Sequence, residues 1–246
     1  MSILVTGGTK GIGLAIARRF AKPGIHVFLN YHADDDAALK AQAELNALGS
    51  QCHLVKGDVG TPEGARSVLA GVAAHTDRLD HLVHSAVRPM AEPLLTVDAM
   101  EFTKAINLNG TALLYLVQAA IPLFRRGSSI LFISSRGGRT PSPNFAAIGV
   151  AKSLAESLIR YLVLELAPLG VRANCIAPMR VDTDSFRAFY GERADTLLQQ
   201  SAAENPSGRN VAENDFCSMA EFLASPAAEM IQGQVIFVSG GAYLAA

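Results

Sequence analysis

The sequence lacks any strong excess of charge. Its 21 Lys and Arg stand against 22 Asp and Glu, for a net charge of −1. Nucleic-acid binding needs a basic surface to displace counterions, so no nucleic-acid partner is expected. Cysteine is scarce. Cys52, Cys175 and Cys217 have neither metal-ligand spacing nor the pattern of a disulfide framework. They read as buried or idle thiols in a reducing compartment. The six histidines are scattered, with no HExxH and no Cys/His cluster, so no metal site is expected. No apolar run of membrane-spanning length is expected, and no leader is expected before the first apolar strand. The expected location is therefore cytoplasmic, without a membrane partner. The sequon Asn109-Gly110-Thr111 is then a chance match. Internal repeats, low-complexity tracts and linkers are also missing.

What is present is alternation. Half of the 246 residues are apolar, which suits a sheet buried on both faces. Strands are expected at Ile3–Thr6, Ile25–Asn30, Cys52–Lys56, Leu79–Ser85, Ile130–Ser134, Val171–Ile176 and Val235–Val238. Helical spacing covers Ile12–Phe20, Asp34–Leu48, a region opened by Thr61-Pro62-Glu63, Thr96–Phe124 and Phe145–Ala167. Strands that alternate with helices imply right-handed crossovers and one parallel sheet. The fold class is α/β: a doubly wound parallel sheet of about seven strands, helices on both faces, in one unit over 1–246. Residues 180–210 are polar and follow a strand end, where lids over ligands occur.

Thr6-Gly7-Gly8-Thr9-Lys10-Gly11-Ile12-Gly13 joins the first strand to the first helix. Glycines allow the sharp turn and close backbone approach that a pyrophosphate requires. The helix N-terminus adds free N–H groups and a positive dipole. This Gly-x-x-x-Gly-x-Gly pattern resembles the fingerprint of the short-chain dehydrogenase/reductase superfamily, a Rossmann family. Further matches run in the family's order: Gly57-Asp58-Val59, Ile106-Asn107-Leu108, Ile133-Ser134-Ser135, Ala151-Lys152, Gly170-Val171-Arg172-Ala173-Asn174, and Gly233-Gln234-Val235 with Ser239-Gly240-Gly241.

The resemblance implies a nicotinamide dinucleotide held by Gly7, Thr9, Lys10, Gly11, Ile12 and Gly13. Asp58 and Val59 would lie at the adenine, with Asn30, His32, Ser85, Lys152 and Thr183 completing the contacts. NAD enzymes place an acidic residue at the end of the second strand. Here that end reads Asn30-Tyr31-His32, and Lys10 lies in the glycine loop. NADPH is therefore expected over NADH.

The family's catalytic set is Asn, Ser, Tyr and Lys. Asn107, Ser135 and Lys152 match three of these. The Tyr four residues before the Lys is replaced by Ile148. Enoyl-acyl-carrier-protein reductases of the superfamily place the Tyr seven residues before the Lys. The segment from Pro143 to Lys152 resembles theirs, as does the tail from Asp182 through Gln234, but the key position holds Phe145. A positioned general acid contributes about 10²–10⁴-fold, so its loss weakens hydride transfer without abolishing it. The substitute proton source is open between water, Ser135, Lys152 and Tyr190 of the lid.

Arg136 and Arg139 are candidates for an acidic substrate or carrier. His84-Ser85-Ala86-Val87 and Ala177-Pro178-Met179 also depart from the family, and His84 reads as a core or cofactor-facing residue rather than a base. The resemblance thus implies NADPH-dependent reduction of an enoyl or ketoacyl thioester on a carrier protein, in fatty-acid or polyketide biosynthesis. Lys152 would hold the ribose, Ser135 the carbonyl and Asn107 a relay water, while Phe145 would form the pocket wall. One alternative is a non-catalytic dinucleotide-binding homologue or partner subunit. Another is a chain in which Phe145 replaces a natural Tyr. Leu and Ile around the two long helices fit a homodimer or homotetramer.

Overall fold

A computed structural model describes residues 1–244. Seven strands form one wholly parallel sheet: β1 (Ser2–Thr6), β2 (His26–Tyr31), β3 (Gln51–Lys56), β4 (Leu79–His84), β5 (Phe124–Ile133), β6 (Arg172–Pro178) and β7 (Val235–Val238). Their order is β3-β2-β1-β4-β5-β6-β7. The chain winds outward from β1 to β3, returns to β4 beside β1, and then winds the other way. A crevice opens at the strand ends at such a reversal.

Alternate side chains of each strand enter opposite cores. Leu4, Phe28, Leu82 and Phe132 pack on one face with Val68, Leu113, Leu116 and Ile159. These come from α3 (Pro62–Ala73), α5 (Ala112–Ala120) and α6 (Ala146–Leu166). Ile3, Val5, Val27, Leu29 and Leu131 pack on the other face with Ile16, Leu45, Phe216 and Leu223. Those come from α1 (Gly11–Phe20), α2 (Asp35–Ala47) and α9 (Glu213–Ala224). The caps are local. Thr61 accepts from the Gly64 N–H at 3.0 Å with Pro62 at the first helical position, and Asp34 accepts from the Ala37 N–H at 3.0 Å.

Several expectations are corrected. The expected Thr96–Phe124 helix begins at α4 (Ala99–Ile106), where Asp98 accepts from the N–H groups of Met100 and Glu101. It passes through a π-helical segment, Asn107–Thr111, into α5, and ends in a 3₁₀ turn at Leu123. Phe124 belongs to β5, which starts six residues before the expected Ile130. The continuous helix Ala99–Leu123 is also long and apolar enough, by length and composition, to cross a membrane. That overturns the expectation that no segment qualifies. Its apolarity has a local cause here, because Ala105, Leu113, Leu116, Val117 and Ala120 lie in the sheet core.

The helix α9 has no counterpart among the expected elements. Its C-terminal carbonyls are held by the buried Arg172 guanidinium, which donates to Leu223 O at 2.7 Å, Ser225 O at 3.0 Å and Ala228 O at 3.1 Å. Residues 180–210, expected as a lid, carry two helices, α7 (Asp184–Tyr190) and α8 (Ala194–Glu204).

Candidate active site

The glycine loop leaves β1 at the crevice and turns into α1. Gly7 has φ +61° and Gly11 φ +51°, a region that favours glycine. A Cβ on Gly7 would lie 2.8 Å from the Ala86 Cα. One on Gly13 would lie 2.3 Å from the Gly7 carbonyl oxygen, so bare backbone is required at both positions. A cleft of about 710 Å³ opens over this loop, within the usual range of small-molecule sites. Gly7, Thr9, Lys10, Gly11, Ile12, Asn30, His32, Asp58, Val59, Ser85, Ser135, Phe145, Lys152 and Thr183 line it. Two expected residues do not. Gly13 packs the helix against the loop, and Asn107 opens the π segment, whose next residue, Leu108, lines the cleft.

At one end of the cleft the expected absence of a carboxylate is corrected. Asp34, the cap of α2, forms an ion pair with Lys10. The bond raises the Lys10 pKa, and Lys10 together with the Ala37 N–H lowers that of Asp34. The sequence signal was available, since Asp34 lies only two residues past His32, but the pairing is tertiary. The Asn30 amide is already used, because Nδ2 donates to Val55 O and Gly57 O, both at 3.0 Å. Asp58 Oδ1 accepts from the Gly60 N–H at 2.9 Å and shapes the turn below.

At the other end Lys152 is buried on α6. Its Nζ donates to the Ile133 carbonyl at 2.7 Å and lies 4.5 Å from the centre of the Phe132 ring. Burial lowers its pKa to about 8, against the opposing pull of Cys175 and Glu156. Ser135 follows β5. Its Oγ accepts from the Gly137 N–H at 3.2 Å, and its own hydrogen has no acceptor among the described residues. Phe145 sits at the N-cap of α6 with its ring against Gly137, where an added Cβ would come within 2.3 Å of Cε1. The ring also meets Phe189 of α7 edge to face at 5.2 Å. Phe186, Phe189, Tyr190 and Ile148 complete an apolar wall.

His84 is fully buried. Nε2 lies 3.1 Å from the Leu108 carbonyl, which can only accept, so Nε2 carries the hydrogen and Nδ1 receives the Thr6 hydroxyl at 2.6 Å. Burial and the nearby Lys152 charge lower its pKa to about 3. With both nitrogens bonded, the ring is a fixed strut under the cleft, not a base.

The family profile described as "Enoyl-(Acyl carrier protein) reductase" matches residues 7–243. The chain is a short-chain dehydrogenase/reductase. Among its relatives, the 1-cyclohexenylcarbonyl-CoA reductase of Streptomyces collinus is 30% identical over 97% of this chain and 85% of its own length. Dehydrogenase/reductase SDR family member 4 of Homo sapiens is 32% identical over 97% and 86%. Among solved structures, a short-chain dehydrogenase from Burkholderia cenocepacia in complex with NADP aligns with TM-score 0.88 at 27% identity, covering 98% of this chain and 96% of that one. An enoyl-[acyl-carrier-protein] reductase (NADH) from Aquifex aeolicus aligns with TM-score 0.89 at 25% identity, covering 99% and 96%. This short-chain dehydrogenase/reductase thus shares its fold with proteins described with either dinucleotide.

Proposed function

We propose that this oxidoreductase reduces an enoyl or ketoacyl thioester, carried on a carrier protein, with NADPH, in fatty-acid or polyketide biosynthesis. The observation that carries the reading is convergence. The Lys152 ammonium and the Ser135 hydroxyl face the same cleft that the glycine loop floors. Gly7, Thr9, Gly11 and Ile12 line the cleft at the N-terminus of α1, which fits a cradle for a diphosphate.

A reduced nicotinamide dinucleotide supplies hydride when bound. Gly7, Thr9, Gly11 and Ile12 are assigned to its diphosphate, Asp58 and Val59 to its adenine, and Ser85 and Thr183 to its nicotinamide half. Lys152 Nζ spends one hydrogen on Ile133 and keeps two for ribose hydroxyls. Ser135 donates its free hydrogen to the thioester oxygen, where negative charge develops. The apolar wall of Ile148, Phe145 and Phe189 excludes water from the acyl chain. Positions 145 and 148 carry no hydroxyl, so the proton is assigned to water ordered by Ser135 and Lys152. Enoyl reduction suits this set better than keto reduction. Hydride at the β-carbon leaves an enolate whose oxygen needs only a hydrogen bond while water protonates the α-carbon, whereas keto reduction leaves an alkoxide that must itself be protonated.

NADPH is preferred because Lys10 and His32 are at hand for a 2′-phosphate. That phosphate must take Lys10 from Asp34. The second reading is a dinucleotide-binding subunit without turnover, which the hydrocarbon side chains at positions 145 and 148 favour. Mixing the chain with NADPH and a panel of enoyl and ketoacyl thioesters separates the two. Steady loss of nicotinamide absorbance supports the reductase, and tight binding without turnover supports the subunit.

A further inference from the structure

A buried carboxylate that the proposed reaction does not use stands behind the serine. Glu156 lies on α6 one turn beyond Lys152, and both its oxygens are engaged by the segment that carries Ser135. The Ser134 hydroxyl donates to Oε1 at 2.6 Å, and Arg139 Nε donates to Oε2 at 3.1 Å. These donors bracket the 3₁₀ turn Arg136–Gly138 from its two ends. Between them the turn lies directly on the helix. A Cβ on Gly138 would fall 3.0 Å from Glu156 Oε1 and 3.2 Å from Lys152 Cβ, and Ser153 donates to the Gly138 carbonyl.

A buried charge is costly, and an apolar residue of similar volume would fill the space at less cost. What an apolar residue could not do is hold both ends of the turn. We infer that Glu156 is the positioning residue for Ser135, fixing its hydroxyl relative to Lys152 by clamping Ser134 and Arg139 to the same helix. The inference rests on the reductase reading for its catalytic consequence. Its structural half stands on these bonds alone. An ordinary stabilising ion pair would give a different pattern, in which loss of Glu156 lowers the melting temperature, dinucleotide affinity and turnover together.

The test is Glu156→Gln, which keeps an acceptor for Ser134 and removes the charge facing Arg139. The expected result is kcat lower by about tenfold or more, since small misplacements of a reacting group are costly. The Kd for NADPH stays within about twofold by calorimetry. Amide exchange at 135–139 becomes faster by about tenfold while the sheet stays protected. Unchanged exchange at 135–139 overturns the inference, as does a parallel fall of dinucleotide affinity, kcat and melting temperature. Should Glu156→Gln fail to fold, Arg139→Ala at the half-exposed end of the clamp must show the same split, and its failure to do so overturns the inference equally. If the natural chain turns over no thioester, the functional reading is what fails, and exchange at 135–139 in the variant still decides the clamp.

Discussion

The rings of Phe145 and Phe189 meet edge to face with their centres 5.2 Å apart, joining the N-terminus of α6 to the lid helix α7. Phe145 lines the cleft together with Lys152 and Ser135, and a hydroxyl added at 145 is expected to face it. Phe145→Tyr is expected to raise kcat by about 10²–10⁴-fold, the usual contribution of a placed general acid, with little change in NADPH affinity. Stopped assays on the same thioester panel check it. A variant that gains activity where the natural chain has none would overturn the reductase reading in favour of the binding subunit.

The Lys10–Asp34 pair sits where a 2′-phosphate is proposed to bind. Asp34→Asn releases Lys10 and removes a like charge from the phosphate. The ratio of NADH to NADPH dissociation constants should rise about fivefold, and Lys10→Gln should lower it. Both groups are half exposed, so the effect must shrink with added salt. A ratio unmoved by either change would place the 2′ group elsewhere.

Two buried imidazoles set the acid response. Burial lowers His81 to about 4 and His84 to about 3, from an ordinary 6.5. Folded values below the unfolded ones mean that the unfolded chain binds more protons once the pH falls under 6.5. Stability is therefore full above that point and is lost as the pH drops through the interval down to the folded values. Each ring contributes a slope of about 1.4 kcal/mol per pH unit there. Urea titrations at pH 7 and pH 5 should show the loss, and His84→Asn should reduce it.

Lys152 gives the opposite limb. Its pKa of about 8 means that the ammonium assigned to the ribose is lost as the pH rises through that value. Dinucleotide affinity and turnover should fall together above pH 8, and Lys152→Met should remove the pH dependence along with most of the activity. Calorimetry with NADPH across pH 7 to 9.5 reads this directly.

On α6, Val150, Tyr161 and Leu164 are 50%, 68% and 73% exposed along one side of the helix. That stripe fits the proposed homodimer or homotetramer. Tyr161→Glu with Leu164→Glu should yield monomers by sedimentation, with the fold retained. A natural chain that sediments as a monomer would remove this proposal.

The strand–helix alternation made the sheet legible, because short apolar runs such as Ile3–Val5, Val27–Leu29 and Ile130–Ile133 recur between segments of helical spacing. The helix α9 was not legible. Its buried Phe216, Cys217, Ala220 and Leu223 have helical spacing, but no strong cap precedes Glu213, and its end is fixed by Arg172, some fifty residues earlier in the chain. The early start of β5 was hidden by Arg125, Arg126 and Gly127, where Gly127 takes φ +93° and the pairing with β4 shifts register before the regular run at Ser129.

In the site, Lys152, Ser135 and the glycine loop could be read because each lies in a short local pattern. The roles of Asp34, His84 and Glu156 come from partners on other elements, which no spacing in the sequence reveals. Asn107 went the other way. Its motif was legible, yet the residue of the π segment that lines the cleft is its neighbour Leu108.

Thr183 caps the lid helix, and its side chain reaches Gly11, where an added Cβ would come within 3.3 Å of its Cγ2. The root of the lid therefore rests on the loop assigned to the diphosphate. In the proposed reaction, whatever settles on that loop also sets the door offered to the acyl group. The kinetics should accordingly be ordered: the coenzyme enters first, the thioester follows, and the spent coenzyme leaves last.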